Sequence, residues 1–162
     1  MSWYDIGTDH GVIIRRMERR LTVRDYESLA EFRHYIRRFL RFSERAARNA
    51  GLEPRQHQLL LALKGMAPSV RPRIGELAER LQIQHHSAVE LVNRLEAAGF
   101  VRRQRGSQDR REVLLKLTPR GERVLQDLSL HHRTELRSQG PELLAALKQL
   151  LDENRDSSAR RR

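Results

Sequence analysis

The sequence predicts a mostly α-helical chain carrying one small β-hairpin, and three observations carry that prediction. Apolar residues recur at helical spacing through most of the chain. Between residues 74 and 98 a short helical stretch and a longer one are separated only by a brief break at Gln82 and Ile83. Directly after them, two short strand candidates flank a polar run of turn formers and arginines. Two helices joined by a tight turn and followed at once by a hairpin make a winged helix-turn-helix, here with further helices on both sides.

Taken in order, residues 1–21 are an arm of mixed character, with Trp3 and Tyr4 near its start and a basic stretch over 15–20. Residues 22–50 read as one long helix. Thr22 and Asp25 resemble a capping box with Asp in place of Glu, Leu29, Phe32, Ile36, Phe39 and Ser43 follow at helical spacing, and Gly51 is placed to end it. A second helix opens at Pro54, a residue suited to a first helical position, and stops at Gly65. After a loop over 67–72, Leu77, Ala78 and Leu81 share one face of a short helix. Ala88, Leu91, Val92 and Leu95 share one face of the next, which Gly99 closes. The strand candidates are 100–105 and 112–117, with Gly106 to Arg111 as the hairpin tip. Thr118 then caps a helix with Pro119 at its first position, and Pro141 is expected to open a separate last helix with a wide leucine face. The tail over 153–162 is polar and basic and is expected to be disordered. The winged helix-turn-helix lobe thus occupies 54–117, between helices at 22–50 and 118–152.

Composition narrows the function. With 162 residues, 33% of them charged and 38% hydrophobic, the chain suits one domain or one compact unit with helical extensions, and neither a membrane protein nor a disordered one. Aromatic residues at 5% are too few for a base-stacking platform. The net charge of +11 and a pI near 11.2 suit a polyanionic partner, because each Lys or Arg near a phosphate releases condensed counterions. There is no cysteine, which excludes disulfides, thiol sensors and Cys-based zinc sites. No apolar run is long enough for a signal peptide or a membrane span, so a cytoplasmic location is expected, with no membrane partner.

The order of helices, hairpin and terminal helices resembles that of the MarR family (multiple antibiotic resistance regulators). The local resemblance lies in Leu95-Glu96-Ala97-Ala98-Gly99-Phe100-Val101 with Arg103, similar to the family's end of recognition helix and first wing strand. It continues in Asp109-Arg110-Arg111 with Val113, Leu115, Leu117-Thr118 and Gly121, similar to its D-x-R wing signature and the LT-x-x-G that follows. Two positions depart from the pattern: Gln84 stands where a Ser or Thr cap is usual, and Glu90 where the family often has a cation.

The residues themselves agree with a DNA-binding role. Opposite the apolar stripe of the second helix lie Gln84, His85, His86, Ser87, Val89 and Arg94. Gln, His and Ser near a helix N-terminus can hydrogen-bond base edges, and the amides there favour phosphate. Arg94 is better placed for a phosphate. Glu90 can accept from a cytosine amino group, but pairing with Arg94 at i+4 is favoured. At the wing tip Arg111, with Arg110 beside it, suits the narrow, negative minor groove, and Asp109 can hold that guanidinium extended. Arg103 completes the expected DNA-binding set.

The flanking helices carry more apolar face than a lone winged helix of this size can cover, and the resemblance implies that they interlock as a homodimer. A two-fold dimer sets two recognition helices about 34 Å apart, one turn of duplex, and predicts a roughly palindromic site. The resemblance also implies a small-molecule pocket, for which His34, Arg38 and His57 are the polar candidates and an anionic aromatic the suited ligand. The expected function is sequence-specific binding of double-stranded DNA by a ligand-responsive repressor, with no cofactor.

Three rival readings have weaker support. A metal-responsive regulator is suggested by His85-His86 and His131-His132, but adjacent helical residues diverge by about 100° and do not readily share one metal. An enzyme is disfavoured because no Cys nucleophile, G-x-S-x-G, Gly-rich phosphate loop or H-E-x-x-H occurs. A winged helix that binds protein would not need arginine at its wing tip.

Overall fold

The computed structural model describes residues 21–106 and 112–152. In chain order it contains α1 (Val23–Asn49), α2 (Pro54–Lys64), α3 (Ile74–Leu81), α4 (His85–Ala97), β1 (Val101–Arg105), β2 (Val113–Leu117) and α5 (Pro119–Asp152). The chain is therefore mostly helical with one two-stranded sheet, as the sequence predicts. The expected arm (except Leu21), the wing tip over 107–111 and the basic tail lie outside the described residues. The chain divides into two compact units, one spanning Arg37–Gly140 and the other taking in residues up to Ile36 and from Pro141 onward.

In the second of these units α1 opens at the expected capping box. The Asp25 N–H donates to Thr22 Oγ1 at 3.3 Å, and the Asp25 carboxylate accepts from the Thr22 N–H at 2.6 Å. The shorter Asp thus closes the same reciprocal pair that Glu or Gln closes elsewhere. Val23, Tyr26, Leu29, Leu144 and Leu151 of this unit are exposed.

The Arg37–Gly140 unit holds the core. Leu52, Leu59, Leu60, Leu77, Val92 and Leu95 are almost wholly buried, and Phe100, Val101, Leu115, Leu117, Leu125 and Leu128 extend the same cluster into the hairpin and α5. At α2, Pro54 occupies the first turn and the Glu53 N–H donates to Gln56 Oε1 at 2.9 Å.

α3 and α4 are joined through Gln82, whose φ of 53° is left-handed. The Ile83 N–H reaches back to the Ala78 carbonyl at 3.0 Å and the Gln82 N–H to Glu79 at 3.0 Å. Gly99 ends α4 in the same way, with φ 74° and the Phe100 N–H on the Leu95 carbonyl at 2.9 Å. Both ends satisfy orphan carbonyls by a left-handed residue, a position that favours glycine. Gln82→Gly is accordingly expected to stabilise the chain by about 0.5 kcal/mol, the relief of the left-handed side chain outweighing the added backbone entropy. A urea midpoint that stays put or falls would contradict this.

β1 and β2 pair antiparallel with Val101 opposite Leu117 and Arg105 opposite Val113. Val101, Leu115 and Leu117 turn inward, while Val113 at the far end is 43% exposed. The Gly106 N–H donates to the Glu112 carbonyl at 2.9 Å and closes the hairpin below its tip.

The start of α5 is bonded to the end of α4. The Thr118 N–H donates to the Phe100 carbonyl at 3.0 Å, and its hydroxyl donates to the Gly99 carbonyl at 2.7 Å while accepting from the Gly121 N–H at 3.1 Å. Arg120 donates to the Ala98 carbonyl at 3.0 Å and lies 4.7 Å from the centre of the Phe100 ring.

One expectation is corrected. Pro141 does not open a separate helix but sits inside α5, which runs without a break from Pro119 to Asp152. The residue before a proline is normally driven out of helical conformation by its own Cβ and N–H against the ring. Here that residue is Gly140, which has no Cβ, and part of the barrier disappears.

Candidate nucleic-acid interface

α4 presents the predicted recognition face. Its apolar residues Ala88, Leu91, Val92 and Leu95 are buried, while Gln84, His85, His86 and Arg94 are exposed and Ser87 and Val89 half-buried. Gln84 is the N-cap residue in extended conformation, and its side chain makes no cap bond. Its amide is thus not consumed by the helix end.

Glu90 pairs with Arg94 along the helix at 3.6 Å, the alternative favoured from the sequence. Both side chains are about two-thirds exposed, so the pair is a weak surface interaction that DNA phosphate can compete with.

Arg103, expected at the DNA, is bound to the protein itself. Its guanidinium pairs with Glu96 and donates to Asn93 Oδ1 at 2.6 Å, and its backbone N–H donates to Glu96 Oε1 at 2.9 Å. Glu96 and Asn93 lie on the last turns of α4, so this network fixes the angle at which β1 leaves the helix. The sequence held a signal of this: an acid seven residues before the arginine, across a helix-ending glycine.

Sequence reasoning missed a second network at the base of the wing. Glu112, just before β2, has a side chain only 8% exposed. Its Oε2 accepts from Arg71 at 2.7 Å and its Oε1 from Arg73 Nε at 2.5 Å. Between those two arginines, the Pro72 carbonyl accepts the Leu115 N–H at 2.8 Å. The stretch before α3 therefore runs beside β2 as well as leading into the helix-turn-helix. Asp109, Arg110 and Arg111, the predicted wing-tip residues, lie outside the described residues.

Of the predicted pocket residues, Arg38 and His57 belong to the Arg37–Gly140 unit and His34 to the other. His34 is exposed on α1 with its ring at the edge of Tyr35, and Arg38 is exposed on the same helix. His57 is 4% exposed, with its ring centre 4.8 Å from that of His132. Burial first, and then the neighbouring His132, push the His57 pKa down to about 4. His132 Nδ1 lies 2.6 Å from the Leu128 carbonyl, which requires a proton on that nitrogen, and Nε2 lies 2.8 Å from Ser43 Oγ. In the neutral ring, Nε2 then accepts from the Ser43 hydroxyl. A separate cleft of about 750 Å³ is lined by Phe42, Arg45 and Asn49 of α1 and by Val124, Asp127 and His131 of α5, among others. Its lining includes neither Arg38 nor His57. Among the described residues no group of three or more His, Asp or Glu side chains converges as a metal site, and no helix is long and apolar enough to cross a membrane.

Comparison with known proteins agrees with this architecture. The MarR family model matches residues 50–112, from the turn before α2 to the base of β2. Among solved structures, AbsC, a MarR family transcriptional regulator from Streptomyces coelicolor, superposes with a TM-score of 0.65 at 23% identity, covering 87% of this chain and 98% of its own. A MepR variant from S. aureus bound to an oligodeoxyribonucleotide gives 0.58 at 18% identity, covering 83% of this chain and 99% of its own. MarR from Staphylococcus aureus in complex with salicylate and kanamycin gives 0.62 at 15% identity, covering 85% and 93%. A comparison with curated proteins gave no significant match. Residues 50–112 thus match the MarR family model, and the chain has the winged-helix fold seen in the solved structures of MarR-family transcriptional regulators.

Proposed function

We propose that this chain is a sequence-specific regulator that binds double-stranded DNA as a homodimer and represses transcription until a small molecule releases it. One observation carries the reading: α4 offers an exposed, polar N-terminal face with a cap residue whose side chain makes no cap bond, and the sequence between β1 and β2 contains Asp109-Arg110-Arg111. Gln84, His85, His86, Ser87 and Val89 read base edges in the major groove, and Arg94 meets a phosphate once it leaves Glu90. Arg111 enters the minor groove, with Asp109 and Arg110 holding and flanking it. Arg103 acts through β1, by setting the direction of the wing. The net charge of +11 supports the non-specific part of the affinity. The MepR variant bound to an oligodeoxyribonucleotide supports DNA as the partner.

The homodimer is supported by the exposed apolar residues of α1 and α5, such as Val23, Tyr26, Leu130, Leu144 and Leu151, which a second copy would cover. The complex of S. aureus MarR with salicylate supports a small-molecule effector, and an anionic aromatic is the chemistry that a basic chain suits.

Fluorescence anisotropy against the duplex upstream of the chain's own gene, at several salt concentrations, tests the reading. The expected result is a steep salt slope, preference over an unrelated duplex, two chains per duplex at saturation and about tenfold weaker binding for Arg111→Ala. Equal, weak binding to both duplexes with Arg111→Ala unchanged would reduce the charge to a non-specific role and turn the search to a protein partner.

A further inference from the structure

We infer that Glu112 is a positioning residue for DNA binding: by holding Arg71 and Arg73 it locks the wing to the N-terminus of the helix-turn-helix. This inference rests on the DNA-binding reading above.

The geometry is specific to the wing base. Arg73 is the N-cap residue of α3, and Arg71 precedes it by two positions. Both guanidiniums are half-exposed, but the carboxylate between them is not: the Glu112 side chain is 8% exposed against 46% and 52% for its partners. A surface acid has no reason to be so enclosed unless its oxygens are used, and both are, Oε2 by Arg71 and Oε1 by Arg73. The Glu112 carbonyl is also the acceptor that closes the hairpin, taking the Gly106 N–H at 2.9 Å. One residue therefore ties the two sides of the hairpin together through its backbone and ties the hairpin to α3 through its side chain.

Three residues on, the Leu115 N–H on the Pro72 carbonyl repeats the attachment. The tip that carries Arg111 begins next to Glu112 in sequence. Without the clamp, the hairpin keeps its pairing but loses its fixed direction relative to α4, and the entropy of that freedom must be removed when DNA binds.

The sign of the effect separates this role from simple electrostatics. Glu112→Gln removes a negative charge beside two arginines, so charge alone predicts tighter binding and a steeper salt slope. Positioning predicts weaker binding, about fivefold to tenfold, with the loss absent when Arg111→Ala is already present, since a wing without its groove-reading side chain has nothing left to aim. Arg73→Lys gives a second test at constant charge: the ammonium cannot reproduce the fork on Oε1, and binding should weaken without any change in net charge.

The experiment is an anisotropy titration of the full chain and these variants against the upstream duplex, with thermal unfolding to confirm that each variant is folded and hydrogen exchange at the Gly106 and Leu115 amides. Faster exchange at the Leu115 amide with the Gly106 amide unchanged, weaker DNA binding and non-additivity with Arg111→Ala are expected. Binding by Glu112→Gln that is unchanged or tighter, or a loss fully additive with Arg111→Ala, overturns the inference. Should Glu112→Gln fail to fold, Arg73→Lys decides, and unaltered binding by that variant overturns it equally. Failure of the wild-type chain to prefer any duplex is a different result: it overturns the DNA-binding reading, and the role of the clamp falls with it.

Discussion

Gly121→Ala is expected to destabilise the chain by about 3 kcal/mol, although by helix propensity alone the same change stabilises a helix by about 1 kcal/mol. A Cβ on residue 121 would lie 2.1 Å from the Phe100 carbonyl oxygen and 3.0 Å from its carbon. Neither neighbour is the end of a flexible side chain. The same oxygen accepts the Thr118 N–H, and the Phe100 side chain is 6% exposed within the core. Relief of the clash therefore requires α5 to move away from the α4–β1 junction or Phe100 to shift in the core. Equilibrium urea unfolding measures the result directly. A midpoint raised by the substitution would mean that the close approach of α5 to Phe100 is not maintained in solution.

Stability should also fall as acid is added, in a window set by His57. Its folded pKa is about 4, below its ordinary value of 6.5, with burial the larger cause and the adjacent His132 the smaller. A histidine depressed in this way takes up its proton more readily when the chain is unfolded. The stability that depends on keeping it neutral is complete above about pH 6.5 and is lost progressively as the pH falls toward 4. The loss amounts to on the order of 3 kcal/mol by the lower end. His57→Gln, a neutral side chain of similar length, should flatten this part of the profile. Urea unfolding of both proteins between about pH 4 and 8 makes the comparison, and parallel curves would show that His57 is not the group responsible.

Much of the fold is legible in the sequence because its signals are local. The Thr22–Asp25 box, Pro54 and Gly99 each act within a turn of their position, and each does in the structure what its residue type implies. Pro141 misleads for the same reason. Proline usually marks a boundary, and only the absence of a Cβ on Gly140 beside it argues otherwise.

The site is legible where it depends on one helix face. The exposure of Gln84, His85 and His86 follows from the burial of Ala88, Leu91, Val92 and Leu95 on the same helix. It is not legible where charges meet across the chain. Arg71 and Arg73 lie about forty residues before Glu112, and in a sequence this rich in arginine no single pair is marked out before the hairpin folds beside the α3 approach. His57 shows the converse. A histidine on a helix reads as polar surface, and only the packing of α2 reveals it as a buried ring against His132.

The junction between α4 and α5 has a consequence for how the lobe communicates. Thr118 and Arg120 hold the carbonyls of Ala98, Gly99 and Phe100, so the C-terminal cap of α4 and the start of the long helix α5 share one set of bonds. A tilt of one helix start or end relative to the other strains those bonds. Linkage between equilibria is symmetrical: to whatever extent a change at α5 alters binding at α4, binding at α4 alters α5 by the same free energy. If α4 binds an operator as proposed, that operator is itself a ligand whose binding the long helix senses through this junction.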